Sequence, residues 1–284
     1  MNNNQKGGNV TRRINKTIIY IVCISLAVLS ILPFWIMFIN ATRSTAEIQS
    51  GLSLLPSSHM MTNLRALLDK SFDPIQGFMN SFIISASATL LTVYFSSLAA
   101  YGLVTYSWKL RGAFFTFILC VMMIPSQASA IGFYQFMYKI HWTNSFLPLI
   151  LPAIAAPAVV FFMRQYLLAT LSIEIVEAAR VDGSNEFKTF NRIILPLMVP
   201  AVATQAIFAF VGNWNNLFMP LILLTQKEKY TMPIMVSLLR GDIYKSEFGS
   251  IYLGLALTAL PLFVVYFLLS RYIIAGVALG GVKE

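Results

Sequence analysis

Long apolar stretches alternate with short polar segments along this chain of 284 residues. Six stretches contain no Asp, Glu, Lys or Arg, and they cover residues 17–39, 78–104, 113–138, 146–163, 193–224 and 251–270. At a rise of about 1.5 Å per helical residue, each crosses or nearly crosses a hydrocarbon layer of about 30 Å. The pattern predicts an all-α membrane protein with six transmembrane helices.

The first apolar stretch has a second interpretation as a cleaved signal peptide, because Lys6, Arg12, Arg13 and Lys16 precede it. The stretch runs from residue 17 to 39, whereas the apolar part of a signal peptide has about 7 to 15 residues. No cleavage site with small residues follows it directly. We therefore predict that it is retained as the first span.

The positions of Lys and Arg indicate the orientation in the membrane, since these residues concentrate in cytoplasmic loops. An inside N-terminus places 12 of the 20 Lys and Arg residues in the cytoplasm. Six spans then place the C-terminus inside as well. The chain divides into a cytoplasmic segment at 1–16, a six-span domain at 17–274 and a cytoplasmic tail at 275–284.

Composition supports the membrane assignment, because only 11% of the residues are charged and 57% are apolar. An ordinary soluble domain has roughly 25% charged residues. Topology and anionic lipid headgroups account for the net charge of +9, so a lipid bilayer is the expected partner and nucleic acid is not.

Several kinds of chemistry lack the residues they need. Cys23 and Cys120 lie in predicted spans, and His59 and His141 are far apart, so neither a disulfide framework nor a metal site is predicted. The sequence contains no G-x-x-x-x-G-K-[ST] loop for ATP phosphates. The spans carry no chain of ionisable residues for proton transfer, apart from Arg164 at the end of the fourth. Energy for uphill transport would have to come from another polypeptide.

A polar segment, EAARVDGSNEFKTFNRIILP, occupies residues 177–196 on the predicted cytoplasmic side between spans four and five. It resembles the signature E-A-A-x3-G-x9-I-x-L-P of permease subunits of ATP-binding-cassette importers. All seven fixed positions match, and they are Glu177, Ala178, Ala179, Gly183, Ile193, Leu195 and Pro196.

The resemblance is closest to sugar-importer permeases of the maltose-transporter type, and specifically to the smaller six-span partner. It covers nearly the whole chain, including IVEAARVDG at 175–183, LPLMVPA at 195–201 and WNNLFMPL at 214–221. Ser172 and Ile173 depart from the usual Leu-Pro-like entry, and Gly132 stands where a Pro is common.

This resemblance implies a non-enzymatic permease in a bacterial plasma membrane that imports a sugar or oligosaccharide. The implied partners are a homologous second permease, two ATPase subunits that bind the ATP, and an extracytoplasmic solute-binding protein. No cofactor is expected on this chain. A polyol phosphate or an amine is an alternative substrate, and a passive channel or a membrane-embedded enzyme is an alternative class.

The segment at 171–196 is implied to be the loop that couples to the ATPase. Its residues suit two short helices: Ser172 can cap the first, and Ala178 and Ala179 give that helix a flat surface for a partner. Gly183 permits a sharp reversal, and Ser184 can cap the second helix. The apolar face of that helix is Phe187, Phe190 and Ile194. An amphipathic helix lying on lipid headgroups is the alternative.

The fifth stretch suggests a pathway. Residues 193–224 would extend about 48 Å as one helix, so strong tilt or a break is predicted, most naturally around Gly212 within GNWNNLFMP. On an ideal helix one side carries Gln205, Gly212, Asn213 and Asn216, while Trp214 points the opposite way and is predicted to pack. We predict that these four residues line the pathway. The alternative is that this side packs on another helix.

Two further patterns allow more than one interpretation. Hydroxyl residues share one face of the second span, where close helix packing is favoured over pathway lining; they are Ser81, Ser85, Thr89, Thr92 and Ser96. The outer segments at 41–79 and 225–250 are long enough to dock a binding protein, or they are spacers.

Overall fold

The computed structural model of the chain describes residues 3–69, 72–239 and 247–281. Within these ranges all regular structure is helical and no strand occurs, which confirms the all-α prediction. Residues 1–2 and 282–284 of the predicted terminal segments lie outside the described residues, as do residues 70–71 and 240–246 of the predicted outer segments.

Helices follow one another with short connections. The α-helices are α1 (Asn3–Ala41), α2 (Thr45–Gln49), α3 (Met60–Asp69), α4 (Pro74–Thr105), α5 (Arg111–Met122), α6 (Ser126–Lys139), α7 (Leu147–Ile150), α8 (Pro157–Thr170), α9 (Ile173–Val181), α10 (Glu186–Thr189), α11 (Leu195–Leu197), α12 (Val199–Trp214), α13 (Phe218–Leu223), α14 (Met232–Leu238) and α15 (Phe248–Gly281). Leu151–Ile154 and Lys227–Lys229 form 3-10 turns, and Phe190–Ile194 forms a π-helical turn.

Four described helical segments are long and apolar enough to cross a membrane: Lys16–Ala41, Pro74–Thr105, Leu147–Thr170 and Phe248–Leu268. Two bent pairs meet the same condition together, Arg111–Met122 with Gln127–Lys139 and Glu186–Leu197 with Val199–Trp214. Counting each bent pair as one span, the described chain has six, at the positions of the six apolar stretches.

The described chain forms two compact units, one from Met1–Phe72 with Leu239–Leu257 and the other from Asp73–Leu238 with Thr258–Glu284. The first unit is organised around the buried Arg43. Its guanidinium donates hydrogen bonds to the carbonyl oxygens of Gly51 at 3.0 Å and Glu47 at 2.5 Å. Asn63 of α3 donates to the carbonyl oxygens of Ala41 and Arg43, both at 2.9 Å. These bonds fix the chain direction after the first span.

A capping box begins α2. The Ser44 N–H donates to Glu47 Oε2 at 2.8 Å, and the Glu47 N–H donates to Ser44 Oγ at 3.3 Å. The Ser57 hydroxyl donates to Glu47 Oε1 at 3.0 Å. The bonds that the carboxylate accepts, first from the Ser44 N–H and then from the Ser57 hydroxyl, lower the pKa of Glu47, so its carboxylate stays ionised to a lower pH than that of an ordinary Glu.

The second unit is built on α4, which packs against α8 and α12. Its C-terminal half contributes to a core whose fully buried members include Met163, Leu167, Phe190, Ile194 and Met198. Such a core fixes α4 at the centre of this unit, because well-packed side chains resist relative displacement of the helices that carry them.

The predicted hydroxyl face of α4 is buried at all five positions. The Met232 N–H donates to Ser81 Oγ at 2.9 Å, and Thr92 donates to the Ala153 carbonyl oxygen at 3.0 Å. The hydroxyls of Ser85, Thr89 and Ser96 have no partner among the described residues. Their burial agrees with the interpretation as close helix packing.

The fifth span is interrupted twice, as its length predicts: by a bend at Met198, and again after Trp214, where α12 ends and from which α13 is separated by residues 215–217. The chain bends by 80° between Leu197 and Val199. Pro196 and Pro200 flank this bend, and a proline both lacks the N–H for the helical hydrogen bond and clashes with the preceding turn. Gly212 lies inside α12, which ends two residues later at Trp214. The break predicted around Gly212 within GNWNNLFMP is therefore confirmed, whereas the bend at Met198 was not predicted.

Candidate functional site

The segment with the seven-position signature begins with α9. Ser172 occupies the N-cap position, but its hydroxyl makes no capping bond to the described chain. It donates instead to Glu174 Oε2 at 3.4 Å, so the predicted side-chain cap is wrong. Glu174 lies in the first turn, where a carboxylate interacts favourably with the positive end of the helix.

The chain reverses at Gly183, whose φ of +76° lies in the left-handed region. The Gly183 N–H donates to the Arg180 carbonyl oxygen at 3.0 Å, and the Ser184 N–H donates to that of Ala179 at 2.9 Å. This pair of bonds is the Schellman motif, which satisfies the last carbonyl groups of a helix when a glycine follows it. The sharp exit from α9 therefore depends on Gly183.

Asn185 caps the second helix, and the prediction of Ser184 is wrong by one residue. The Lys188 N–H donates to Asn185 Oδ1 at 2.8 Å. Ser184 is already engaged, since its N–H completes the end of α9 and its Oγ accepts from the Thr189 hydroxyl at 2.9 Å.

The predicted apolar face of the second helix is correct at two positions of three. Phe190 and Ile194 are fully buried, whereas the Phe187 side chain is 69% exposed. A regular helix would place all three within about 60° of one another, but the chain widens into a π turn over Phe190–Ile194. Phe187 therefore points away from the core.

The seven signature residues lie on both sides of this segment. Glu177 and Ala178 are exposed on α9, whereas Ala179 is buried. The predicted flat surface for a partner is therefore wrong for Ala179, which faces the chain's own interior. Ile193 and Leu195 pack against the core, and Pro196 lies directly before the bend between Leu197 and Val199.

Two exposed apolar side chains flank the Gly183 turn, and neither was predicted from the sequence to be exposed. Val181 is 88% exposed and Phe187 is 69% exposed. Both stand among charged neighbours in the sequence, and an apolar residue in a charged turn is the signal that could have identified them. Exposed apolar side chains rimmed by polar residues are typical of a protein-binding surface.

A single carboxylate connects this segment to the second span. Glu186 accepts a hydrogen bond from Arg180 Nε at 2.7 Å and another from the Tyr101 hydroxyl at 2.6 Å. The Arg180 guanidinium also lies 5.3 Å from the centre of the Tyr106 ring. The bond to Glu186 raises the pKa of Arg180, so the guanidinium keeps its charge. Sequence spacing did not predict this contact, because Tyr101 and Glu186 are 85 positions apart.

The four predicted pathway residues lie on α12 and the turn after it. Gln205, Asn213 and Asn216 are partly exposed, and Gly212 is exposed. Apart from the neighbouring backbone of α12 itself, a Cβ added at Gly212 would meet no atom of the described chain within 4 Å. This side of α12 is therefore open within the chain itself.

Trp214 lies on the packed side of α12, in agreement with its predicted packing role. It is 1% exposed, and its indole Nε1 donates to the Thr258 carbonyl oxygen at 3.0 Å. The ring stacks on Phe210 at a centroid distance of 5.7 Å and meets Phe78 edge-on at 5.5 Å.

Two of the amides make local bonds. Asn213 Nδ2 donates to the Ala209 carbonyl oxygen at 2.8 Å, and Asn216 Oδ1 accepts from the Met219 N–H at 3.4 Å. These bonds orient the side chains and leave the Asn213 carbonyl oxygen and the Asn216 amino group to other partners.

The fold and this segment define a multispan helical membrane protein with an exposed, charged turn between its later spans. The family model described as the binding-protein-dependent transport system inner membrane component matches residues 92–278. This chain belongs to that family and is the permease component of such a transport system. The resemblance carried by the seven-position signature is thereby confirmed.

Two curated relatives and one solved structure are similar over most of the chain. The arabinooligosaccharides transport system permease AraQ of Halalkalibacterium halodurans is 34% identical over 91% of this chain and 93% of its own. The lactose transport system permease LacG of Rhizobium radiobacter is 34% identical over 96% and 98%. A chain from a bacterial ABC transporter involved in import of the acidic polysaccharide alginate superimposes with a TM-score of 0.78, covering 93% of this chain and 98% of that chain at 21% identity.

Proposed function

We propose that this chain forms half of the membrane pathway of an ATP-driven importer for a sugar or oligosaccharide. A homologous permease forms the other half, two ATPase subunits supply the energy, and an extracytoplasmic binding protein delivers the solute. The observation that carries the proposal is the turn at Gly183, which presents Val181 and Phe187 to solvent within the family's signature segment.

Coupling occurs at this turn. Val181 and Phe187 insert into an apolar groove on the ATPase, while the exposed Glu177 and Ala178 lie along the same contact. In many protein interfaces a few apolar anchor residues surrounded by a polar or charged rim contribute most of the binding free energy. Glu177→Lys should weaken this contact without impairing membrane insertion, because the residue lies outside the hydrocarbon.

The pathway is lined by the open side of α12, with Gln205, Gly212, Asn213 and Asn216. Amide groups both donate and accept hydrogen bonds, which suits sugar hydroxyls. The named substrates of the relatives, arabino-oligosaccharides and lactose, support a carbohydrate over a polyol phosphate or an amine. Both termini are cytoplasmic, and the outer segments at 41–79 and 225–250 dock the binding protein.

Site-specific crosslinking tests the coupling proposal. In a chain with Cys23→Ser and Cys120→Ser, Val181→Cys and Phe187→Cys should each crosslink to a polypeptide that mass spectrometry identifies by its G-x-x-x-x-G-K-[ST] loop. Leu90→Cys is the control, because Leu90 is also exposed, at 68%, but lies in the second span. Crosslinking to such a subunit from residue 90 and not from 181 or 187 would contradict the proposal.

Uptake into vesicles tests the substrate class. The reconstituted complex with its binding protein should accumulate labelled arabino-oligosaccharide or lactose when ATP is supplied, and should not accumulate glycerol phosphate. Uptake down a gradient without ATP would instead indicate a passive channel.

A further inference from the structure

We propose that Tyr101, Arg180 and Glu186 transmit movement of the turn at Gly183, called the coupling turn below, directly to α4, the second span. These three residues are called the carboxylate bridge below. The inference rests on the proposed coupling of this segment to an ATPase, and it adds the route by which the displacement reaches the membrane helices.

The carboxylate bridge joins three helices through one side chain. Glu186 is the first residue of α10, Arg180 lies in the last turn of α9, and Tyr101 lies near the inner end of α4. The two carboxylate oxygens accept separately, Oε1 from Arg180 at 2.7 Å and Oε2 from Tyr101 at 2.6 Å. Hydrogen bonds to an ionised carboxylate are short and about twice as strong as neutral ones. Both arms of the turn are thus tied to one point on the second span.

Aromatic packing supports the same connection. The Tyr101 side chain is 2% exposed, and its ring lies 5.6 Å from that of the fully buried Phe190. Tyr94, two turns earlier on α4, lies 5.7 Å from Phe190 and donates from its hydroxyl to Asn191 Oδ1 at 3.3 Å. The segment after the turn therefore rests on α4 along two helical turns.

The alternative route from the turn into the membrane follows the chain into α12. That route passes through the π turn at Phe190–Ile194 and the 80° bend next to Met198. A bend with missing helical hydrogen bonds absorbs displacement by rotating backbone angles. The route through the carboxylate bridge instead reaches α4, a continuous helix of 32 residues that packs on both α8 and α12. A push on the turn therefore moves α4 as a rigid body.

Distance measurements in the assembled complex test this route. One nitroxide replaces Leu90, which is exposed on α4, and the other replaces the exposed Lys188, in a chain with Cys23→Ser and Cys120→Ser. Electron-electron double resonance compares the nucleotide-free complex with the complex trapped by Mg·ATP and vanadate. If the turn and α4 move together, the mean distance changes by less than about 2 Å, the scale of ordinary helix adjustments.

Tyr101→Phe removes the bridging hydroxyl and keeps the packed ring. In this variant, trapping should shift or broaden the distance distribution, while ATP hydrolysis and the melting temperature stay near those of the parent. A merely structural hydroxyl would lower the melting temperature and leave the distance response unchanged. Tyr166→Phe is the matched control, because the Tyr166 hydroxyl contacts the Leu197 carbonyl oxygen at 3.4 Å and not the carboxylate bridge. Should Tyr101→Phe fail to assemble, Glu186→Gln removes the charge at nearly unchanged size and should give the same shift.

Different outcomes overturn the carboxylate bridge and the proposed function. A parent complex that changes by several ångströms on trapping, or a Tyr101→Phe complex that responds like the parent, overturns the carboxylate bridge as a route. A parent chain that associates with no ATPase and traps no nucleotide overturns the proposed function itself.

Discussion

At the scale of single residues, Gly183 is required for its backbone conformation alone. Its φ is +76°, and an added Cβ would meet no atom of the described chain within 4 Å beyond the two neighbouring residues. A left-handed conformation costs an ordinary residue about 1–2 kcal/mol, and Asn tolerates it best. We expect protease cleavage at the turn of the full-length chain, purified without the ATPase, to accelerate in the order Asn, Ala, Val at position 183. Gly102→Ala, also in open space but in a helix, is the control, and equal cleavage of all three variants would refute the strain argument.

Gly249 is required for a different reason, which is space. An added Cβ would lie 2.3 Å from the Arg43 carbonyl oxygen and 2.5 Å from the Asn63 amide. The backbone carbonyl cannot move away, so Gly249→Ala should destabilise the first unit by about 1–3 kcal/mol or more. At Gly77 the near atoms are sulfurs of Met235 and Met232, at 2.7 and 3.1 Å, and flexible methionines can adjust. Thermal denaturation should show a clearly larger loss for Gly249→Ala than for Gly77→Ala; the reverse order would contradict this account.

At the scale of elements, periodicity predicted the spans better than it predicted their ends. The six apolar stretches are helical over most of their length, because lipid requires the backbone groups to be satisfied within the helix. Neighbouring residues can compete for a cap position, and both Ser184 and Asn185 are good capping residues. Because Ser184 takes part in the Schellman motif that ends α9, Asn185 becomes the cap of the next helix. Hydrophobic periodicity could not predict the exposure of Phe187 either, because the π turn that follows it depends on packing against α4.

The bend of the fifth span shows the same limit. Pro196 and Pro200 were visible in the sequence, whereas Gly212 attracted the prediction because three amides follow it closely. Proline removes a helical hydrogen bond, while an internal glycine costs a helix only about 1 kcal/mol. The prolines therefore determined the position of the unpredicted bend, whereas the predicted break follows two residues after Gly212, where α12 ends at Trp214.

The open side of α12 can be tested by thiol labelling. In the complex with Cys23→Ser and Cys120→Ser, single cysteines at 212, 213 and 216 should react with a water-soluble maleimide, because these positions are open within the chain. A cysteine at 214 should not react, since Trp214 is buried against Phe210 and Phe78. Labelling at 214 without labelling at 213 or 216 would reject the assignment of the pathway side.

At the scale of the whole molecule, the proposed division of labour between a permease and a separate ATPase gives a direct prediction. The sequence has no phosphate-binding loop, so the rigorously purified chain alone should hydrolyse no ATP. Hydrolysis should appear when the ATPase subunit is added. A Gly183→Val chain should associate less with that subunit than the parent chain does. Nucleotide turnover by the isolated chain, surviving a mock purification control, would disprove the division.

The different burial of the first and second spans has a consequence for biosynthesis. The most apolar window of the first span has a mean hydropathy of 2.5 and no buried residues within the chain, whereas the second span has a mean hydropathy of 1.6 and 44% of its window buried. The first span can enter lipid as soon as it is made, but the hydroxyl face of the second must wait for α8 and α12 to be synthesised. A photo-crosslinker at residue 85 should therefore contact the insertion machinery in ribosome-bound chains ending at residue 145 and lose that contact in chains ending at residue 265. A crosslinker at residue 24 should lose it in both, so translation itself sets the order in which this permease acquires its packed helices.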